Sequence, residues 1–101
     1  MYTPLELEQE WIRRATADFD SASSKIIECF NELKDKSLNE TQLEYDIQYC
    51  ACSEIDIFTK NWRLSAPKEL INTPNMYTCG LKTFNLYIEL VELPKKLIAS
   101  M

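Results

Sequence analysis

Apolar residues in the first third of the chain recur at alternating steps of three and four residues. Only Glu8 interrupts the series. Such a spacing places one apolar stripe along an α-helix. Thr3 and Pro4 are typical of a helix start, so a first helix is predicted over residues 4–36. The stripe consists of Leu5, Ile12, Ala15, Phe19, Ala22, Ile26, Cys29 and Leu33, with Trp11 and Phe30 beside it.

A second stripe follows the capping residues Ser37 and Asn39. Pro67 disfavours a helical conformation in the residue before it. A second helix is therefore predicted over residues 39–64, with a short turn at 67–71. Because the connection to the first helix is short, the two should form an antiparallel hairpin. The stripe consists of Leu43, Ile47, Cys50, Ala51, Ile55, Phe58 and Trp62.

Thr73 and Pro74 repeat the opening of the first helix and predict a third helix over residues 74–93. Pro94 should end or kink this helix, because proline lacks the N–H that a helix interior needs. Only a short turn is expected at 95–100.

The third helix is apolar around more than half of its circumference. Such a helix packs on more than one neighbour, and two interpretations remain open. The helix lies in the groove between the first two, or the part of its arc around Leu86, Leu90 and Leu93 meets another chain. Its polar residues form one narrow band, Thr78, Lys82, Asn85, Glu89 and Glu92. The side opposite this band is Tyr77, Leu81, Phe84, Tyr87, Ile88 and Val91, and Cys79, Leu86, Leu90 and Leu93 extend the apolar arc.

These patterns predict an all-α protein, an antiparallel helical hairpin with a third helix packed along it. At 101 residues the chain has room for one domain, 1–101, with one core. The single glycine supports this class, because hairpin turns between strands need glycine and helices disfavour it.

The outward side of the second helix carries the first candidate binding surface. Tyr45 and Tyr49 lie one turn apart there, near Asp56 and Arg63. Exposed tyrosines are typical of protein-binding surfaces, because a rigid aromatic ring adds contact area at a low entropic cost. The sequence therefore predicts that these four residues contact a partner protein, with Leu86, Leu90 and Leu93 as a rival surface.

Charge narrows the range of partners. The net charge is −5 and the pI about 4.7, so direct binding to nucleic-acid phosphates is not expected. No apolar run reaches the ~20 residues of a membrane span, and the N-terminus lacks the basic and apolar regions of a signal peptide. We expect a cytoplasmic protein with no membrane partner and with reduced cysteines.

Several kinds of chemistry are excluded or disfavoured. The chain contains no histidine. This excludes histidine as a general base, as the partner of a Ser or Cys nucleophile, and as a metal ligand. Cys29, Cys50, Cys52 and Cys79 have spacings that suit neither a zinc site nor a disulfide, so the buried ones should act as small apolar residues. One glycine leaves no phosphate-binding loop. We therefore expect no catalytic site, no metal and no cofactor.

In size, acidity, helix content and lack of catalytic groups, the chain resembles small phage or prophage proteins that inhibit host nucleases, such as anti-RecBCD and anti-CRISPR proteins. The resemblance implies a non-enzymatic protein that binds and inhibits a host enzyme. It assigns no residue a role. Three alternatives remain: a structural homodimer, an acidic mimic of DNA, and an antitoxin or immunity protein.

Overall fold

The described part of the chain forms three α-helices, each of which packs against the other two. The computed structural model describes residues 3–36, 39–64 and 67–101, without the side chains of 63 and 64. This confirms the predicted all-α class and the three-helix bundle. The elements are α1 (Pro4–Asp35), α2 (Glu40–Leu64), a 3-10 turn (Lys68–Leu70) and α3 (Pro74–Ala99).

Each helix start is held by a side-chain cap. The Thr3 hydroxyl accepts a hydrogen bond of 3.2 Å from the backbone N–H three residues on, and Thr73 does the same at 3.3 Å. The Asn39 amide oxygen caps α2 in the same way, at 2.8 Å. These bonds satisfy backbone donors that have no partner within the helix. Ser37, the other predicted cap, lies outside the described residues.

The main core takes side chains from all three helices. Ile26 of α1, Ile47 of α2 and Leu90 of α3 are fully buried in it. The third helix therefore lies against both of the others, as the first of the two interpretations predicted. The buried members are Ala15, Ala22, Ile26, Phe30, Leu43, Ile47, Ala51, Phe58, Leu86 and Leu90.

A second, smaller cluster closes one end of the bundle. Trp11, Leu70 and Cys79 are buried in it, and Trp62 packs against them. Glu8, which interrupts the apolar series of α1, lies beside this end. Its carboxylate accepts a 3.2 Å hydrogen bond from the Asn75 side chain, and its carbonyl accepts a 3.9 Å bond from the thiol of Cys79. The interruption is thus a polar link from α1 to the start of α3.

A disulfide joins Cys29 of α1 to Cys50 of α2, with the two Cα atoms 6.9 Å apart. The prediction that no cysteine pair suits a disulfide was wrong for this pair. Sequence spacing is informative only for cysteines on one element, whereas the antiparallel packing of α1 on α2 brings together two positions 21 residues apart. The expectation of reduced cysteines, which followed from the predicted cytoplasmic location, is therefore wrong for Cys29 and Cys50.

The predicted end of the third helix at 93 was also wrong. α3 continues through Pro94 to Ala99. Proline in a helix interior costs about 3 kcal/mol, because one backbone hydrogen bond is lost. Here Pro94 is fully buried, and Leu97 and Ile98 pack against the main core one turn further on. Burial of these side chains offsets the lost bond and keeps the last turns helical.

The bundle is a rod of 54 × 19 × 17 Å. A rod this thin has no interior beyond the contact between its helices, so many side chains of each helix stay on the surface. Within the described ranges, no helix combines the length and the apolar content that a membrane span needs.

Candidate protein-binding surfaces

One side of α2 forms the first candidate surface, the α2 tyrosine face, consisting of Tyr45, Tyr49, Cys52 and Asp56. Tyr45 and Tyr49 are 71% and 75% exposed, and Cys52 and Asp56 are exposed beyond them. Three of the four predicted contact residues of α2 therefore lie together on the surface. The fourth, Arg63, belongs to α2, but its side chain lies outside the described residues.

Helical periodicity explains why these side chains point outward. They follow one another at steps of four, three and four residues, which keeps them on one side of the helix. The buried residues Leu43, Ile47 and Ala51 lie on the opposite side, in contact with α1 and α3. The tyrosine rings are thus held by a rigid helix and take no part in the core.

Asp56 already has a partner on its own helix. Its carboxylate lies 3.0 Å from the ammonium of Lys60, one turn further along, and both side chains are more than 60% exposed. An exposed ion pair of this kind contributes little stability. Asp56 can therefore exchange Lys60 for a cation on another protein.

A shallow groove connects the α2 tyrosine face with α3. It has a volume of about 410 Å³, and Cys52 and Asp56 line it from α2 while Tyr87 and Val91 line it from α3. The groove adds apolar surface beside the tyrosines. A partner that contacts Tyr49 can extend across it onto α3.

The rival surface around Leu86, Leu90 and Leu93 is not on the outside of the bundle. Leu86 and Leu90 are buried in the main core, and Leu93 is half-buried against it. The exposed apolar side of α3 is the one that the sequence placed opposite the polar band of this helix. We call it the outer stripe; it consists of Tyr77, Leu81, Phe84, Ile88 and Val91.

The outer stripe is exposed at four of its five positions. Tyr77 is 74%, Leu81 50%, Phe84 49% and Val91 40% exposed, and Ile88 is half-buried. Both sides of α3 have apolar residues at helical spacing, so periodicity alone could not tell which side packs inward. The buried hydroxyl of Thr83, which donates to the Cys79 carbonyl at 2.7 Å, lies on the inner side. Thr83 could have identified the inner side from the sequence, because it is small and its hydroxyl can bond to a backbone carbonyl of the same helix.

Aromatic stacking orders the middle of the outer stripe. The rings of Phe84 and Tyr87 have centroids 6.3 Å apart and planes at 25°. Aromatic pairs at this distance attract each other. Because Tyr87 also lines the groove towards α2, the stack joins the outer stripe to the groove.

A charged cluster lies on α1, far along the chain from both surfaces. The guanidinium of Arg13 lies 2.6 Å from the Glu10 carboxylate, and that of Arg14 lies 3.1 Å away. The hydrogen bond from Arg13 lowers the pKa of Glu10 to about 2, and the same bond raises the pKa of Arg13. The cluster lines a cavity of about 570 Å³ beside Trp11, whose indole N–H has no hydrogen-bond partner among the described residues.

The two thiols outside the disulfide differ in environment. Cys52 is exposed and Cys79 is fully buried. Burial raises the pKa of Cys79 to about 11, so this thiol stays neutral at physiological pH and packs as a small buried residue, as predicted. In the part of the chain that the structure describes, no three His, Cys, Asp or Glu side chains come close enough to hold a metal ion.

No protein-family model, no curated protein and no solved structure matches this chain. The described residues form two surfaces that fit another protein: the α2 tyrosine face with its groove, and the outer stripe of α3.

Proposed function

We propose that this chain is a non-enzymatic protein that binds another protein through the α2 tyrosine face. The observation that carries the proposal is the exposure of Tyr45 and Tyr49, 71% and 75%, at adjacent turns of a helix whose core contacts are made elsewhere. Tyrosine is among the residues most enriched at the centres of protein interfaces.

The groove beside Cys52 and Asp56 supports the same surface. The groove contains the apolar residues Ala51, Ile55 and Val91. A partner side chain that packs on them beside the tyrosine rings excludes water from the contact. Asp56 adds a carboxylate at the edge, and the net charge of −5 favours encounter with a basic partner surface. The partner that fits best is a protein with a basic rim around an apolar or aromatic side chain.

We further propose that binding inhibits the partner, as the resemblance to phage inhibitors of host nucleases implies. A rod 54 Å long can cover a partner's active site or prevent a movement of its domains. Neither action needs a cofactor or a catalytic group. The proposed place of action is the cytoplasm.

The proposal is tested by replacing Tyr45 and Tyr49 together with alanine. Wild type and the double variant are used side by side to capture proteins from the native host, and the affinity of each enriched protein is then measured. Loss of two interface tyrosines should lower the affinity for the true partner about 30-fold or more, which corresponds to about 2 kcal/mol. The free energy of unfolding, measured by thermal denaturation, should change by less than ~1 kcal/mol, because both rings are exposed.

Tyr77→Ala is the matched control, because it removes an equally exposed tyrosine (74%) from α3. This variant should bind the partner as the wild type does. Measurements with and without reductant show whether the Cys29–Cys50 disulfide matters for binding. If the double variant keeps its full affinity for every enriched protein, the α2 tyrosine face is not the binding surface.

A further inference from the structure

The outer stripe of α3 has the spacing of a coiled-coil seam. Tyr77, Leu81, Phe84, Ile88 and Val91 follow at steps of four, three, four and three residues, and Lys95 continues the series after four more. A second helix can pack against such a seam over its full length. From 77 to 95 the contact is about 27 Å long, at 1.5 Å per residue.

The rest of the bundle does not cover this seam. α3 packs on α1 and α2 through its other side, where Cys79, Thr83, Leu86, Leu90 and Pro94 are buried. The outer stripe remains 40–74% exposed at four of its five apolar positions. α3 is therefore a helix with two apolar sides, one of which has no partner within the described part of the chain.

The spacing of the seam is the same when it is read backwards. Counted from either end, the steps are four, three, four, three and four, with the midpoint at Leu86. A second copy of α3 in antiparallel orientation would therefore meet the first position by position. Leu81 would face Val91 of the other copy, Phe84 would face Ile88, and each contact would occur twice. Such self-complementarity is the requirement of a two-fold symmetric interface.

The charge at the end of the seam favours the antiparallel orientation. In that orientation the ammonium of Lys95 faces the ring of Tyr77 of the other copy, where a cation–π contact is attractive. In the parallel orientation Lys95 would face another Lys95 beside an apolar contact, and like charges repel. Both side chains are exposed and available for this pairing.

We propose that two copies of this protein associate through the outer stripe, with their α3 helices antiparallel about an axis at Leu86. The interface contains none of the α2 tyrosine face. It meets the groove only at Val91, which lines both. The dimer therefore goes beyond the proposed function and is tested without knowledge of any other partner.

The full chain is examined by sedimentation equilibrium from about 1 to 200 μM, a range that detects dissociation constants on the order of micromolar. The mass should rise from 11.8 kDa to twice that value. The Leu81→Asp/Phe84→Asp variant should weaken association about 100-fold or more, because charges enter the centre of the seam. Tyr45→Asp/Tyr49→Asp, which places the same two charges on the exposed side of α2, should dimerise as the wild type does. A mass of 11.8 kDa at every concentration overturns the proposal, as does a dimer unaffected by the double substitution.

Further variants test the orientation of the two helices. They are informative whether or not the Leu81→Asp/Phe84→Asp variant folds. Lys95→Glu should weaken the antiparallel dimer, because a carboxylate then faces the Tyr77 ring, whereas a parallel dimer would keep two like charges opposed at position 95 and change little. In a Cys52→Ser background, Leu81→Cys and Val91→Cys proteins are mixed and oxidised in air. The expected product is the mixed disulfide of the two proteins. Cross-linking of Leu81→Cys only to itself contradicts the antiparallel arrangement.

Discussion

Glu10 shows how strongly one exposed carboxylate can be affected by its neighbours along a helix. Arg13 and Arg14 lie one turn further on and both donate to it, at 2.6–3.1 Å. Both guanidinium groups are more than 60% exposed. The cluster therefore affects titration more than folding, since solvent screens exposed pairs.

We expect the Glu10 carboxyl to titrate with a pKa of about 2 instead of 4.5. Arg13→Ala should raise this pKa more than Arg14→Ala, because the hydrogen bond from Arg13 is the largest cause of the shift. The folded-state pKa is depressed, so the contribution to stability is present above pH 4.5 and is lost as the pH falls towards 2. NMR titration of the carboxyl carbon measures the midpoint. The assignment is contradicted if Arg13→Ala leaves it unchanged.

Residue identity alone also predicted the state of Cys79, because a lone cysteine on an apolar helix side is normally a small buried residue. It could not predict the bond between Cys29 and Cys50. That bond depends on the register of α1 against α2, which is set by tertiary packing of residues such as Ile26 and Ile47. A bond between cysteines of two helices can be predicted only when the packing of those helices is known.

At the scale of elements, helix starts were predictable because their causes are local. Thr3, Asn39 and Thr73 cap the helices that the sequence assigned to them. The end of α3 was not predictable, because burial of Pro94 outweighs the local tendency of proline to end a helix. The direction in which α3 faces was not predictable either, since both of its sides are apolar, and this is why Leu86 and Leu90, which are buried, were named as a rival binding surface.

Gly80 is the one position where the interior of α3 has no side chain. A Cβ atom built there meets no other atom within 4 Å, so alanine should fit without any shift. Gly80→Ala should raise the free energy of unfolding by about 1 kcal/mol, because glycine loses more backbone entropy in a helix.

Urea denaturation measures this change through the midpoint, with the slope unchanged. Ala17→Gly is the matched control, because Ala17 is an exposed residue inside α1 and the reverse replacement there should cost a similar amount. A lower midpoint for Gly80→Ala would mean that α3 is not a regular helix at this position.

At the scale of the whole molecule, the Cys29–Cys50 disulfide fixes the α1–α2 hairpin. It closes a loop with a sequence separation of 21, which restricts the unfolded chain and should contribute about 3 kcal/mol to stability. Reductant should therefore lower the urea midpoint of the wild type. The Cys29→Ala/Cys50→Ala variant should unfold at one midpoint whether or not reductant is present.

Cys52→Ser provides the control for this experiment. Cys52 is exposed and takes no part in the disulfide, so its replacement should leave the effect of reductant intact. A wild-type midpoint that does not respond to reductant would show that the two helices are held by packing alone.

Both tryptophans lie at the same end of the rod. Trp11 is buried in the end cluster, and Trp62 packs against that cluster. Intrinsic tryptophan fluorescence therefore reports on this end, which holds the start of α1, the close of α2 and the start of α3. Circular dichroism in the far ultraviolet averages over all three helices. Where the two signals diverge during unfolding, the ends of the rod separate at different stages.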